Sequence, residues 1–273
     1  MKNVFADLHI HSYYSDGTMS PRQILDLAKE RNVGLIAISD HDTFEGSVEL
    51  MKICDKSGIK CIPAVEITTI DKGHQIHVLG YNPDFTSDRF RSFVAHGRKE
   101  LDKMSITLIN KLHYDGKAVS VEEYEAYPDD RTLGGWKALR YIVDSGIAKD
   151  KFEGMRLYPE NGVGYETADF SDTETAIKEI ISAGGAAIIA HPGLSVPKDS
   201  FTDDLERYIS YGASGAECYY SEYDEETTQR CLDFCKNRNL NITCGSDFHG
   251  TFLSRELGTP QISTEDLVLN KII

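Results

Sequence analysis

The sequence predicts an α/β fold in which strands alternate with helices, broken once by a helical insertion. Three observations carry this reading. Nearly continuous apolar runs such as 33–39 and 186–190 suit strands covered on both faces. Amphipathic stretches of helical period separate them. From about residue 85 to 167 the strand runs cease and helical patterns take over. At 273 residues the chain is long enough for a single barrel, or for one domain plus an insertion.

Taken in order, Val4-Phe5-Ala6 leads into Asp7-Leu8-His9-Ile10-His11, whose alternation reads as a short buried strand, with Asp16-Gly17 close behind. Successive strand side chains face opposite ways, so Asp7, His9 and His11 should share one face and Leu8 and Ile10 the other. An acid and two imidazoles are poor core material, because buried charge is costly unless paired or holding a metal. The spacing suits a divalent cation; surface or core histidines are the alternative. Ser20-Pro21 opens a helix as N-cap and first helical residue, with Ile24, Leu25, Leu27 and Ala28 as its apolar face. The run 33–39 delivers Asp40-His41-Asp42. A helix over 43–57 follows, then a strand over 59–67 ending on Glu66, and another over 75–81 carrying His77.

Within the insertion, 90–114 reads as a long helix and 121–127 and 136–143 as shorter ones. Asp144-Ser145-Gly146 is a stop, and 147–167 looks irregular. Alternation resumes with a helix over 173–183 and its stop Gly184-Gly185. The strand 186–190 hands over His191-Pro192-Gly193. A helix at 203–211, a strand at 215–218 and a helix at 225–237 precede the strand 240–244, which ends in Gly245-Ser246-Asp247-Phe248-His249-Gly250. The expected division is 1–84 with 168–273 as one α/β unit and 85–167 as an insertion roofing the site.

Composition narrows the function classes. Hydrophobic residues at 40% and charged residues at 27% are ordinary for a globular chain. A net charge of −15 argues against a broad grip on nucleic acid, although a short oligonucleotide end needs only a few phosphate contacts. Bound cations would neutralise part of that surplus. No apolar run reaches a membrane span and the start shows no signal-peptide pattern, so a cytoplasmic location is expected. Cys54, Cys61, Cys218, Cys231, Cys235 and Cys244 contain no Cys-x-x-Cys pair. Cys231 and Cys235, one helical turn apart, could bind metal; small reduced hydrophobes are the better reading of all six. Nothing in the chain signals an oligomeric state.

His9, His11, His41, Glu66, His77, His191, Asp247 and His249 all lie at or near the ends of six predicted strands, where α/β sheets and barrels build their sites. His74, His96 and His113 lie in a loop or in the insertion and read as surface or structural groups, although His74 could face the same opening as His77.

The segments DLHIHSYYSDG, ISDHDT, AVEIT, HVLGY, AHPG and GSDFHG, spanning residues 7 to 250, resemble in order the motifs of the PHP (polymerase and histidinol phosphatase) superfamily, and more closely its small stand-alone phosphoesterases. The resemblance implies a distorted seven-stranded (β/α) barrel with two to three divalent metal ions. Carried over by motif, His9, His11, Glu66 and Asp247 would hold one ion. Glu66 would bridge to a second, held with His77 and His191, and Asp16, His41 and His249 would hold a third. Asp16 stands where some branches have His. Mixed nitrogen and oxygen donors without thiolate suit Mn, Fe or Zn.

Such a centre lowers the pKa of bound water from about 15.7 to about 7 and clamps the attacking and leaving oxygens. The expected reaction is attack by a metal-bridging hydroxide near Glu66 and Asp247 on a phosphoester of a small phosphorylated metabolite. Asp247 is the expected proton acceptor, and His249 or Asp42 the expected general acid. Asp40 and Asp42 could orient ligand imidazoles, or Asp42 could cap the next helix.

Substrate contacts are expected from Lys137, Arg140 and Arg255. Nucleotide-cleaving members of the superfamily open a helix here with Arg-Pro-His and follow it with another Arg; this chain has Gly134-Gly135-Trp136-Lys137 and then Arg140. Lys137 lacks the bidentate fork of Arg, Arg255 could instead form a surface ion pair, and Trp136 could stack on a base or sugar or simply fill the core. A phosphomonoester is favoured, such as a nucleoside 3′,5′-bisphosphate, AMP or histidinol phosphate. A small cyclic phosphodiester and the trimming of short RNA ends are rivals. Against a non-catalytic metal module stands the number of candidate ligands, since structural sites are usually closed by four.

Overall fold

A computed structural model describes residues 4–55 and 57–273. The chain runs β1 (Phe5–Ile10), α1 (Pro21–Glu30), β2 (Val33–Ile38), α2 (Glu45–Cys54), β3 (Lys60–Cys61), β4 (Ala64–Asp71) and β5 (His74–Tyr81). Four helices follow: α3 (Asp88–Tyr114), α4 (Val121–Ala126), α5 (Lys137–Asp144) and α6 (Lys151–Glu160). The remainder is α7 (Thr173–Ser182), β6 (Ala186–Ile189), α8 (Pro192–Ser195), α9 (Phe201–Tyr211), β7 (Gly215–Tyr220), α10 (Glu225–Lys236), β8 (Asn241–Gly245) and β9 (Ile262–Ser263).

The strands form two sheets, β3-β2-β1-β9 and β4-β5-β6-β7-β8. They do not run into one closed ladder, so the single seven-stranded barrel expected from the motifs is not what the pairing forms. Instead the sheets meet along two seams. Ile10 bridges Phe248 beyond the end of β8, and His41 beyond β2 bridges Glu66 in β4. Ala6, Leu8, Leu79, Tyr81, Ile188 and Cys244 pack between the sheets. Ile24, Leu25 and Leu50 cover the outside of the first sheet, and Ile177, Leu205 and Leu232 cover the second.

Three expectations about strands are corrected. A register shift between Asp7 and Ile10 breaks the simple alternation in β1, so Leu8 packs between the sheets while Ile10 packs in the cluster that holds α1. The strand expected over 59–67 is split, with Ile62-Pro63 between β3 and β4. Most consequentially, β4 and β5 are antiparallel. Only Lys72 and Gly73 join them, both with positive φ, which is a two-residue hairpin turn and leaves no room for a helical crossover. Glu66 and His77 therefore lie within a hairpin rather than at the ends of parallel strands.

Helices follow the sequence more closely. Ser20 accepts from Gln23 N and completes a capping box at α1. The helix expected over 43–57 ends at Cys54, and Lys56 lies outside the described residues, as do Met1, Lys2 and Asn3 at the chain start. The stretch 147–167, read as irregular, contains α6. Its signal was Asp150-x-x-Glu153: the Asp150 side chain accepts from Glu153 N while Glu153 Oε2 accepts from Lys149 N. Cys54 and Cys61 are also corrected, being joined by a disulfide between the end of α2 and β3, which the turn at Gly58 brings together. The other four cysteines are buried free thiols. Among the described residues no helix is long and apolar enough to cross a membrane.

Between β5 and α7 the described residues hold helices and no strand, and they build a cluster of their own around Leu101, Leu108, Ile109, Leu112 and Ile142. Leu108 is fully buried there. Leu108→Ala should cost about 2–5 kcal/mol of stability, read as a lower urea midpoint in equilibrium unfolding; an unchanged midpoint would contradict the packing described.

Candidate metal centre

The two seams bring the candidate ligands together. At one, β1 ends beside the segment following β8: Asp247 N donates to His9 O at 2.8 Å and His11 N to Phe248 O at 2.9 Å. At the other, Asp42 N donates to Glu66 O at 2.9 Å. His9 and His11 thus face Asp247 and His249 across the first seam, and His41 faces Glu66 across the second. The β4–β5 hairpin pairs Thr68 with His77, which sets His77 diagonal to Glu66 on the same face.

Glu66, fully buried, is the hub. Its Oε2 lies 3.0 Å from His9 Nε2, 3.1 Å from His11 Nε2 and 3.2 Å from His41 Nδ1. Its Oε1 lies 2.9 Å from His77 Nδ1 and 3.3 Å from His191 Nε2. Asp247 Oδ1 lies 2.9 Å from His11 Nε2, and Asp16 Oδ1 lies 3.3 Å from His249 Nε2. Three overlapping groups offer donor atoms within 4.8 Å of one another: His9, His11, Glu66 and Asp247; His11, Asp16, His41 and His249; and His41, Glu66 and His77. His191 joins through Glu66. No cysteine enters any of these groups.

The donor atoms fit cations. His9 Nδ1 faces the Glu217 carboxylate at 3.1 Å, so that nitrogen donates to it and Nε2 is the one left for a cation. Nε2 lies 3.1 Å from His11 Nε2 and 3.0 Å from Glu66 Oε2. Asp16 Oδ1, His41 Nδ1, His77 Nδ1 and Asp247 Oδ1 are all buried without a well-aligned hydrogen bond, although each faces another donor group at 2.9–3.3 Å. Electron-pair donors crowded together and unpaired are costly unless a cation lies among them.

The field reinforces this. Burial alone would raise Glu66 and Asp247, but the surrounding imidazoles hold both carboxyls well below the usual range. Burial would lower His11, yet Asp247 and Glu66 push it up to about 10. His41 is driven down to about 3, chiefly by burial, and stays neutral as ligation requires.

Sequence reasoning missed the groups that hold the donors in place. Glu217 in β7 is fully buried; besides His9 it accepts from His191 N at 2.8 Å, fixing two donors at once. The signal was a lone acid inside the buried strand 215–218. Gly245 makes room for it, since a Cβ there would stand 2.2 Å from His9 Cβ and 2.3 Å from Glu217 Oε1. Tyr220 donates to Asp247 Oδ2 at 2.8 Å, and Arg255 pairs with the same oxygen. Asp247, His191 and Asp42 all have positive φ, strain of the kind that concentrates at functional sites.

The flanking acids serve the backbone rather than the imidazoles. Asp7 accepts from Ser246 N, Ser246 Oγ and Gly258 N. Asp40 accepts from Ser12 N, Ser12 Oγ and Ser15 Oγ, gathering the loop that carries Asp16. Asp42 accepts from Thr68 N and caps no helix, because the residue preceding α2 is Phe44.

A cleft of about 410 Å³ opens onto Asp16, His41, His77, His191, Asp247 and His249. Arg255 is the only Arg or Lys lining it among the described residues. Lys137 and Arg140 are not brought to it. Lys137 Nζ donates to Glu125 O, while Arg140 is spent on Gly134 O, Gly135 O and Asp129. Trp136, half-buried, lines the cleft with its ring centroid 5.9 Å from that of His41. Gly134 and Gly135 set it there, both with positive φ, with Gly135 N bonded to Asp16 O at 2.7 Å. His74, exposed at the start of β5, is outside every donor group. His96 bonds Asp169 O and His113 bonds Val119 O.

Fold and donor groups together define an α/β metal-binding protein. The chain belongs to the PHP domain family, whose profile matches residues 7–157. It is 30% identical over 245 residues to a 5′-3′ exoribonuclease of Haemophilus influenzae, covering 89% of each chain. It is 28% identical over 267 residues to a 3′,5′-nucleoside bisphosphate phosphatase of Chromobacterium violaceum, covering 96% of this chain and 92% of that one. A solved structure from Bifidobacterium adolescentis, assigned as a metal-dependent phosphoesterase, shares the fold with a TM-score of 0.79 at 23% identity, over 95% of this chain and 93% of that one.

Two outcomes follow from the geometry. Glu217→Gln keeps the volume but turns an amide towards His9 or His191, and should weaken metal binding about 10–100-fold in competition with a chelator; unchanged affinity would remove Glu217 from its positioning role. His11 in the metal-free protein sits above its ordinary 6.5, at about 10. Its proton therefore stabilises the metal-free fold fully below pH 6.5, and that contribution is lost as pH rises through about 10. Metal must displace this proton, so affinity should rise with pH across the same window. Calorimetry at pH 8 in two buffers of unlike ionisation enthalpy should detect proton release; heats that do not depend on buffer would contradict it.

Proposed function

We propose that the chain hydrolyses a phosphoester bond in a small phosphorylated metabolite, with divalent ions of the Mn, Fe or Zn type held by His9, His11, Asp16, His41, Glu66, His77, His191, Asp247 and His249. The observation that carries this is the set of overlapping, unpaired donor groups around Glu66 at the floor of a cleft with one guanidinium at its edge. The three overlapping donor groups, two of which contain Glu66, would support two to three ions. The two seamed sheets support reading the fold as a distorted barrel, and the helices over 85–167 as an insertion roofing it.

When bound, the ions supply a more acidic water and neutralise charge on the phosphate oxygens. The protein's own groups do the rest. Tyr220 and Arg255 hold Asp247 Oδ2, which leaves Oδ1 for ligation. A carboxylate so held, with its pKa well below the usual range, is a poor proton acceptor, so ligation is the role its surroundings support. His249 Nδ1 donates to Asp247 O at 2.7 Å, turning Nε2 towards Asp16, again as a ligand rather than an acid. Arg255 is the candidate phosphate contact, in place of Lys137 and Arg140.

A second reading, trimming of RNA ends, is favoured by the name of the Haemophilus relative. The single arginine in the cleft and the net charge of −15 favour the small substrate.

Chelation should abolish phosphate release, and re-addition of Mn should restore it. Glu66→Gln should lose metal and lower kcat by at least about 100-fold; full activity with full metal content would refute the assignment. Phosphate release from monoesters, set beside the opening of small cyclic diesters and the shortening of oligoribonucleotides, decides the substrate class. Dominant oligoribonucleotide cleavage with a steep salt dependence would select the second reading.

A further inference from the structure

Behind one wall of the metal cleft lies a second cavity of about 340 Å³. Leu101 and Met104 of α3, Pro159 of α6 and Val163 give it apolar sides. Trp136, Met155 and Tyr165 line both it and the metal cleft. Its polar groups are few: the Ser105 hydroxyl, 3.3 Å from that of Tyr158, and the carboxylate of exposed Glu166. Among the described residues no Lys or Arg lines it.

A second phosphate or a polynucleotide backbone would find no cation among the lining side chains, the Arg98 guanidinium lying outside that lining at 5.9 Å from the Trp136 ring centroid, and an anion buried without one is costly. A flat or branched apolar group suits it, because ligand pockets are apolar with a few polar groups placed among them. A cavity of about 150 Å³ already holds benzene, so this one has room for a bicyclic ring. Its shared wall puts such a group one indole away from His41, with the cleft on the other side.

We propose that this cavity takes the organic part of a phosphate monoester whose alcohol is aromatic or branched aliphatic, with the phosphate on the metal side of Trp136. The proposal rests on the phosphoesterase reading above and narrows its substrate class away from bisphosphates and RNA ends.

Trp136 is the chain's only tryptophan, so its emission reports on the cavity directly. Titrating the metal-loaded protein with 1-naphthol, which carries no phosphate, should change that emission saturably. The ratio of kcat/KM for 1-naphthyl phosphate to that for glycerol 3-phosphate should be at least tenfold in the native protein. Val163→Phe, which fills the cavity, should reduce that ratio at least tenfold; Met104→Phe on a neighbouring wall gives the same test if Val163→Phe does not fold. Naphthol binding with no hydrolysis of any phosphoester would overturn the phosphoesterase reading and support the cavity's ligand class. Hydrolysis of both esters with a ratio near one, unmoved by either variant and with no naphthol response, would overturn the cavity assignment and leave the phosphoesterase reading intact.

Discussion

The structure depends on keeping a crowd of electron-pair donors buried at the line where two sheets meet. Glu66 alone has five imidazole nitrogens within 3.3 Å of its carboxylate. Without a cation the imidazoles share protons with Glu66, Asp16 and Asp247, and with one they can give those protons up. Either way the charge must be balanced in place, because isolated ions cannot be left in a low-dielectric interior. The fixed surroundings follow from this need. Glu217 sets the His9 tautomer, Gly245 lets Glu217 approach, Asp40 gathers the Asp16 loop, and Tyr220 with Arg255 occupies the outer oxygen of Asp247.

The seams also explain why a site of this kind tolerates open sheets. A closed ladder would satisfy every strand edge, whereas here the edges meet at isolated bridges, Ile10 with Phe248 and His41 with Glu66. The left-handed residues Asp42 and Asp247 sit directly beside those bridges, next to His41 and Phe248. Strain at the seams is offset by the packing beneath them, where Leu8, Leu79, Tyr81 and Ile188 fill the space between the sheets.

The donors and the walls around them come from different parts of the chain. The donors come from strands and the turns beside them. The walls beyond them come from α3, α5, α6 and the segment around Tyr165, which pack around Leu108 and Ile142 as a cluster of their own. Members of the family can therefore share a metal centre and differ in substrate, as the exoribonuclease and bisphosphate phosphatase names of two relatives illustrate.

Much of this was legible in the sequence. His, Asp and Glu following short apolar runs marked the donors, the cap at Ser20 and the stop at Gly184-Gly185 marked helix ends, and the shift to helical period marked the stretch after β5. These signals are local, set by which side chains alternate and which groups a helix end leaves unpaired. The antiparallel turn at Lys72-Gly73, the disulfide between Cys54 and Cys61, the second sheet edge and the service of Glu217 were not legible. Nor was the fate of the three candidate phosphate contacts, since Lys137, Arg140 and Arg255 look alike as isolated cations. Only the fold decides which of them meets a carbonyl, which a carboxylate and which an open cleft, because pairing depends on distances between residues far apart in the chain. By itself the sequence determined the kind of donor and most of the order of elements; the tertiary structure alone decided their convergence and what lies beside it, because close packing is a property of the assembled whole.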